Sequence, residues 1–148
     1  MRLYEIKKFT NNIDDLKRFA LWVCDRLDIE VMPRIKFGTD LNDVRTRRTF
    51  GSTSEDGDIW VHIANRNTAD TMRTLCHELI HHKQFEIGTA SGNMSTDQTQ
   101  SIEDEANALA GRMMRDYGSE HEEIYESIAI RKLINQSRTA ITITNQYK

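Results

Sequence analysis

Residues 76–81 read Cys76-His77-Glu78-Leu79-Ile80-His81, and one turn of helix explains that composition. At 3.6 residues per turn, His77 and His81 lie on the same face one turn apart, so two imidazoles can hold one Zn²⁺. Glu78 sits about 100° round the same turn, where its carboxylate can reach a water on the metal. Met72, Leu75, Cys76, Leu79 and Ile80 recur at helical spacing on the other side, which predicts a core helix that carries a site.

Working outward, Asn67 or Thr68 is the expected cap of this helix, which runs over about 69–87 and stops at Gly88. Before it, Thr49–Thr53 and Ile59–Ile63 flank an Asp56-Gly57 turn, the pattern of a β-hairpin. Ile59, Val61 and Ile63 face one way and Trp60 and His62 the other. Further upstream, Pro33 sets off a short strand around 34–37, and Gly38–Asp43 reads as a turn. Asn12 caps a helix over about 13–28 with an apolar stripe of Ile13, Leu16, Phe19, Ala20, Val23 and Leu27. Downstream, residues 88–100 carry one large apolar side chain, Met94, and read as a loop. A helix over about 101–117 follows, capped by Ser101 and ended by Gly118. Helical character continues over 120–133, and 139–145 alternates like an edge strand. The expected class is α+β: an N-terminal helix, a small mixed sheet with a hairpin, the His-Glu helix and a further helix.

At 148 residues the chain suits one domain, with residues 127–148 set apart as a C-terminal extension. That extension holds four basic residues and no acids, whereas residues 103–126 hold eight acids and two Arg. A net charge of −3 argues against a whole-protein nucleic-acid footprint. No apolar run approaches the ~18 residues of a membrane span, and the polar opening MRLYEIKKFTNN is unlike a signal peptide. A cytoplasmic protein is expected. Its two cysteines build no disulfide framework.

A catalytic zinc takes three protein ligands and keeps one position open. On the helix after residue 100, Ile102, Ala106, Leu109, Ala110, Met113 and Tyr117 form the packing arc. Glu103 borders that arc, Glu105 lies farther from its centre, and Asp104 points to solvent. Glu103 is therefore the expected third ligand and Glu105 the runner-up. Asn107, one turn on, is placed to hydrogen-bond the outer edge of a ligand.

His77-Glu78-Leu79-Ile80-His81 followed by Glu103-x-Glu105-Ala106-Asn107-x-Leu109-Ala110 resembles the gluzincin metallopeptidases, in particular their small ImmA/IrrE-like members. The likeness is close over about 70–114 and architectural over 12–68. It departs from the family in lacking the proline after the third-ligand helix, and no helix-turn-helix or sensor domain accompanies it. The resemblance implies one zinc per chain on His77, His81 and Glu103, with Glu78 as general base, in a peptidase acting on protein or peptide substrates. It also implies that the strand before the His-Glu helix is an edge that pairs with an extended substrate. In this chain that strand is Ile59–Ile63, with Trp60 and His62 as substrate contacts or as packing.

An oxyanion donor is also needed, and His121, Tyr117 and Tyr125 are the chemically able candidates. His82 points about 100° away from His81 and reads as exposed. Two other readings compete. One is a non-catalytic, zinc-stabilised protein-binding module, which has no use for Glu78. The other is a SprT-like, nucleic-acid-associated protease, suggested by Arg45, Arg47, Arg48 and the basic tail, which would need a third histidine ligand.

Overall fold

The computed structural model describes residues 10–125. The expected helix beyond residue 125, the strand over 139–145 and the basic extension lie outside them.

The first helix, α1 (Ile13–Leu27), opens at Asn12, whose side chain accepts hydrogen bonds from the backbone N–H groups of Asp14 and Asp15. Its stripe of Leu16, Phe19, Ala20, Val23 and Cys24 is buried. The chain then forms β1 (Arg34–Gly38), a short α2 (Leu41–Arg47), β2 (Gly51–Thr53) and β3 (Asp58–His62). The hairpin turn closes through Gly57 N–H to Ser54 C=O at 3.1 Å. Gly57 sits there at φ 86°, a conformation that disfavours side chains.

The sheet order is β1-β3-β2, with β1 parallel and β2 antiparallel to β3. This corrects one expectation. Ile59–Ile63 is no free edge, because β3 is central and hydrogen-bonded on both sides, and β2 is an edge instead. Trp60 and His62 are buried in this central strand. Trp60 lies on the outer face of the sheet, where the guanidinium of Arg47, the last residue of α2, stacks 4.5 Å from its ring. The α2 helix stands where a turn is expected. It buries none of its residues, so it lacks the apolar stripe that would mark it, and only the Asp40 cap announces it.

On the inner face, Ile59, Val61 and Ile63 meet α3 (Thr68–Glu86), capped by Asn67. Against α3 packs α4 (Thr96–Glu120). The two run antiparallel: Cys76 Sγ is 3.8 Å from Met113 Sδ, while His81 reaches Glu103. One apolar cluster joins α1, the sheet, α3 and α4. No described helix is long and apolar enough to cross a membrane.

The start of α4 also differs from expectation. Ser95, not Ser101, is the cap, in a reciprocal box with Gln98. Its first turns are solvent-exposed and polar, so no periodicity signals them. Nor does Gly118 stop α4, which runs through it to Glu120. Gly118 is instead where Tyr125 packs, since a Cβ there would overlap the Tyr125 ring. A 3₁₀ turn, Glu122–Tyr125, ends the described chain.

Candidate metal centre

His77 and His81 project from one face of α3, and Glu103 from the facing side of α4. The two imidazole Nε2 atoms are 2.9 Å apart. The Glu103 carboxylate oxygens lie 3.1 Å from His77 Nε2 and 2.9 Å from His81 Nε2. Among the described residues these three form a group able to hold a metal ion. Two ring nitrogens and a carboxylate converging this closely leave lone pairs facing one another. A divalent cation at their common centre turns that repulsion into attraction, so the donor set fits a metal.

The tautomer of His81 follows from a buried neighbour. Gln84 is 1% exposed; its Nε2 donates to Ile102 C=O at 3.2 Å and to Glu105 Oε1 at 3.1 Å. Its amide is thereby oriented with Oε1 toward His81 Nδ1, 2.8 Å away. A carbonyl oxygen accepts only, so Nδ1 carries the proton and Nε2 keeps its lone pair for the site. Glu105 thus acts through Gln84 and does not join the triad. Asn107, expected to support a ligand, is exposed and lines the cleft beside His77. The supporting role falls to Gln84, which lies in the last turn of α3. A Gln three residues after His81 was a legible signal, since i and i+3 share a face.

Glu78 sits beside this group and outside it. Its carboxylate is buried, and Thr53 of β2 donates through Oγ1 to its Oε2 at 2.5 Å, with the Glu78 backbone carbonyl 3.0 Å from the same hydroxyl. Burial pushes the Glu78 carboxyl above its ordinary value, opposed by the Thr53 hydrogen bond and by the nearby His77 and His81. Gly51 makes room for it: a Cβ there would lie 3.1 Å from Glu78 Cγ and 2.7 Å from Thr74 Cγ2. Their spacing in the sequence marks neither Thr53 nor Gly51 as a site residue, because only strand pairing brings β2 to α3. Glu78 opens on a cleft of about 260 Å³ lined by Thr49, Phe50, Gly51, Arg73, Thr74, His77 and Asn107. A larger cavity, about 620 Å³, lies on the outer face of the sheet and holds none of the triad. Donor chemistry, not size, identifies the site.

The three oxyanion candidates are elsewhere. Tyr117 lies about 21 Å farther along α4 than Glu103. It is buried between Phe19 and Trp22, at ring-centroid distances of 4.8 and 5.1 Å. His121 stacks on Tyr117 at 4.0 Å and bonds its carbonyl. Tyr125 donates to Met114 C=O at 3.0 Å. All three build the far end of α4, away from the triad. His82, expected to be exposed, is buried, with Nε2 2.7 Å from Val31 C=O. With Glu86, which accepts from the N–H groups of Glu30 and Val31, it ties α3 to the loop after α1.

No protein-family model matches the chain, and no curated protein or solved structure matches it either.

Proposed function

We propose that this chain is a zinc-dependent metallopeptidase that hydrolyses peptide bonds in protein substrates. One observation carries the reading: a buried carboxylate, Glu78, stands beside a His77-His81-Glu103 donor group without belonging to it. A site that serves stability alone has no use for such a base.

Zinc held by His77, His81 and Glu103 would polarise a scissile carbonyl and lower the pKa of a water it binds toward neutrality. Glu78 takes the proton that the attacking water loses. Thr53 occupies Glu78 Oε2, which leaves Oε1 as the accepting atom. The same oxygen then returns the proton to the leaving amine. Desolvation raises the basicity of Glu78 and so matches it better to work near neutral pH. Gln84 holds His81 in the tautomer that presents Nε2. An extended substrate adds as a further strand to the outer edge of β2, unpaired among the described residues, whose Gly51 and Thr53 flank Glu78.

The SprT-like alternative gains no support, since His121 packs on Tyr117 at the other end of α4. Cytosolic action fits two buried free thiols, Cys24 and Cys76.

The test is Glu78→Gln, which keeps the shape and loses the proton acceptor. The variant should bind zinc like the parent while cleavage of a proteome-derived peptide library falls by at least ~10². Equal cleavage by both proteins would overturn the mechanism.

A further inference from the structure

The cleft beside Glu78 holds a cation that the chemistry just described does not use. Arg73 stands one helical turn before His77 on α3, about 6 Å along the axis, on the same face as His77 and His81. It crosses toward α4 over Gly111, whose missing side chain leaves the space: Arg73 Nη1 is 3.8 Å from where a Cβ at position 111 would be. Glu103, Asn107 and Gly111 form the matching line on α4, at four-residue spacing. The Arg73 guanidinium is exposed, and among the described residues it makes no hydrogen bond and no ion pair within 4.0 Å.

Among the described residues, the surrounding charges leave Arg73 unneutralised. Asp70, one turn back, acts on Arg66, which is held by Thr74 Oγ1, by the carbonyls of His62 and Asp70 and over the Phe50 ring. Glu103 is engaged by the two histidines. Among the described residues Glu78 is the one acid lining the cleft, and Thr53 holds it on the β2 side. A free guanidinium at the mouth of a half-open cleft, with five donors in a planar fork, is built to take a carboxylate in a bidentate pair.

We infer that Arg73 is a specificity-determining residue that binds a carboxylate of the peptide close to the scissile bond. This rests on the peptidase reading of the same cleft. The carboxylate has two sources, an Asp or Glu side chain and the free C-terminus of a short peptide, and the experiment separates them.

The probes are fluorescein-labelled alanine-rich octapeptides with one Asp or one Asn moved through the central positions, each made with a C-terminal acid and with an amide. Binding is read by anisotropy on full-length Glu78→Gln protein, with and without Arg73→Ala, Arg73→Lys and Arg73→Glu. The expected result is that Asp peptides or free-acid peptides bind at least ~10-fold tighter than their neutral counterparts. Arg73→Ala should erase that difference, Arg73→Lys keep part of it and Arg73→Glu reverse it, with zinc content unchanged. An Asp preference that survives amidation assigns the side chain; a preference lost on amidation assigns the terminus. Equal binding of charged and neutral peptides, or a preference that persists in Arg73→Ala, overturns the proposal. Cleavage of the library by the wild-type chain is scored in parallel. Cleavage without an Arg73-dependent preference leaves the peptidase reading and removes this one. An Arg73-dependent preference without cleavage leaves a carboxylate-binding cleft and removes the peptidase.

Discussion

Gln84 Oε1 lies 2.8 Å from His81 Nδ1, and the other end of the same amide is tied to Ile102 and Glu105 on α4. One buried amide therefore sets the tautomer of a metal-site histidine and joins the two helices that carry the triad. Gln84→Met keeps the volume and removes both functions. Zinc affinity, by competitive chelator titration, should fall about 10–100-fold. Loss of the buried hydrogen bond to the Ile102 carbonyl, which keeps its own helical partner, should cost about 0.5–1.5 kcal/mol in urea unfolding of the metal-free protein. Unchanged affinity would show that His81 needs no such support.

The triad predicts an order among the carboxylates of α4. Glu103→Ala should weaken zinc binding by about 10² or more, because it removes a ligand. Glu105→Ala should weaken it by less than about tenfold, since Glu105 reaches the site only through Gln84. His81→Ala should abolish stoichiometric zinc by elemental analysis, and the added stability that zinc confers should go with it. Equal losses in the two Glu variants would displace Glu103 from the site.

The buried Glu78 makes a signed prediction for the metal-free protein. Its folded pKa is raised above the ordinary 4.5 because burial penalises the carboxylate. The folded state thus keeps a proton that the unfolded chain has already released. The corresponding stability is fully present below the ordinary value and is lost as pH rises through the folded one. Glu78→Gln carries no such charge. In EDTA its Tm should exceed the parent's at about pH 7–8, and the two should converge at about pH 4. Parallel Tm profiles across that range would show that Glu78 is not desolvated.

Cys24 and Cys76 offer a check on the core. Burial pushes the Cys24 thiol up to about 11 and the Cys76 thiol up to about 12. Neither presents thiolate at neutral pH. In the native protein both should resist a disulfide-exchange reagent for as long as the fold persists, and in denaturant both should react at once. Fast native labelling of Cys76 would place it outside the α3–α4 interface, where Met113 now covers it.

Whatever depended on phase along a single helix was legible in the sequence. The turn that aligns His77 with His81, the position of Glu103 at the border of a packing arc, the Asn12 and Asn67 caps and the Asp56-Gly57 hairpin all follow from spacings of a few residues. Local rotation and local hydrogen bonds decide those features. Two local signals were legible but faint: the Ser95–Gln98 box at the head of α4, which lies where no apolar stripe frames it, and Gln84 at His81+3, a polar residue standing in line with the apolar Met72, Cys76 and Ile80. Tertiary structure alone decided the rest. Strand order placed β3 at the centre of the sheet, buried Trp60 and His62, and left the edge to β2. That pairing also brought Thr53 and Gly51 onto Glu78 from a separation in sequence of more than twenty residues. The antiparallel run of α4 against α3 carried Tyr117 and His121 away from the triad and set Arg73 over Gly111. The physical reason is common to these cases. A residue's helical or pleated phase is set by its neighbours in the chain. The element facing it is chosen by burial of apolar surface across the whole domain, which no short spacing encodes.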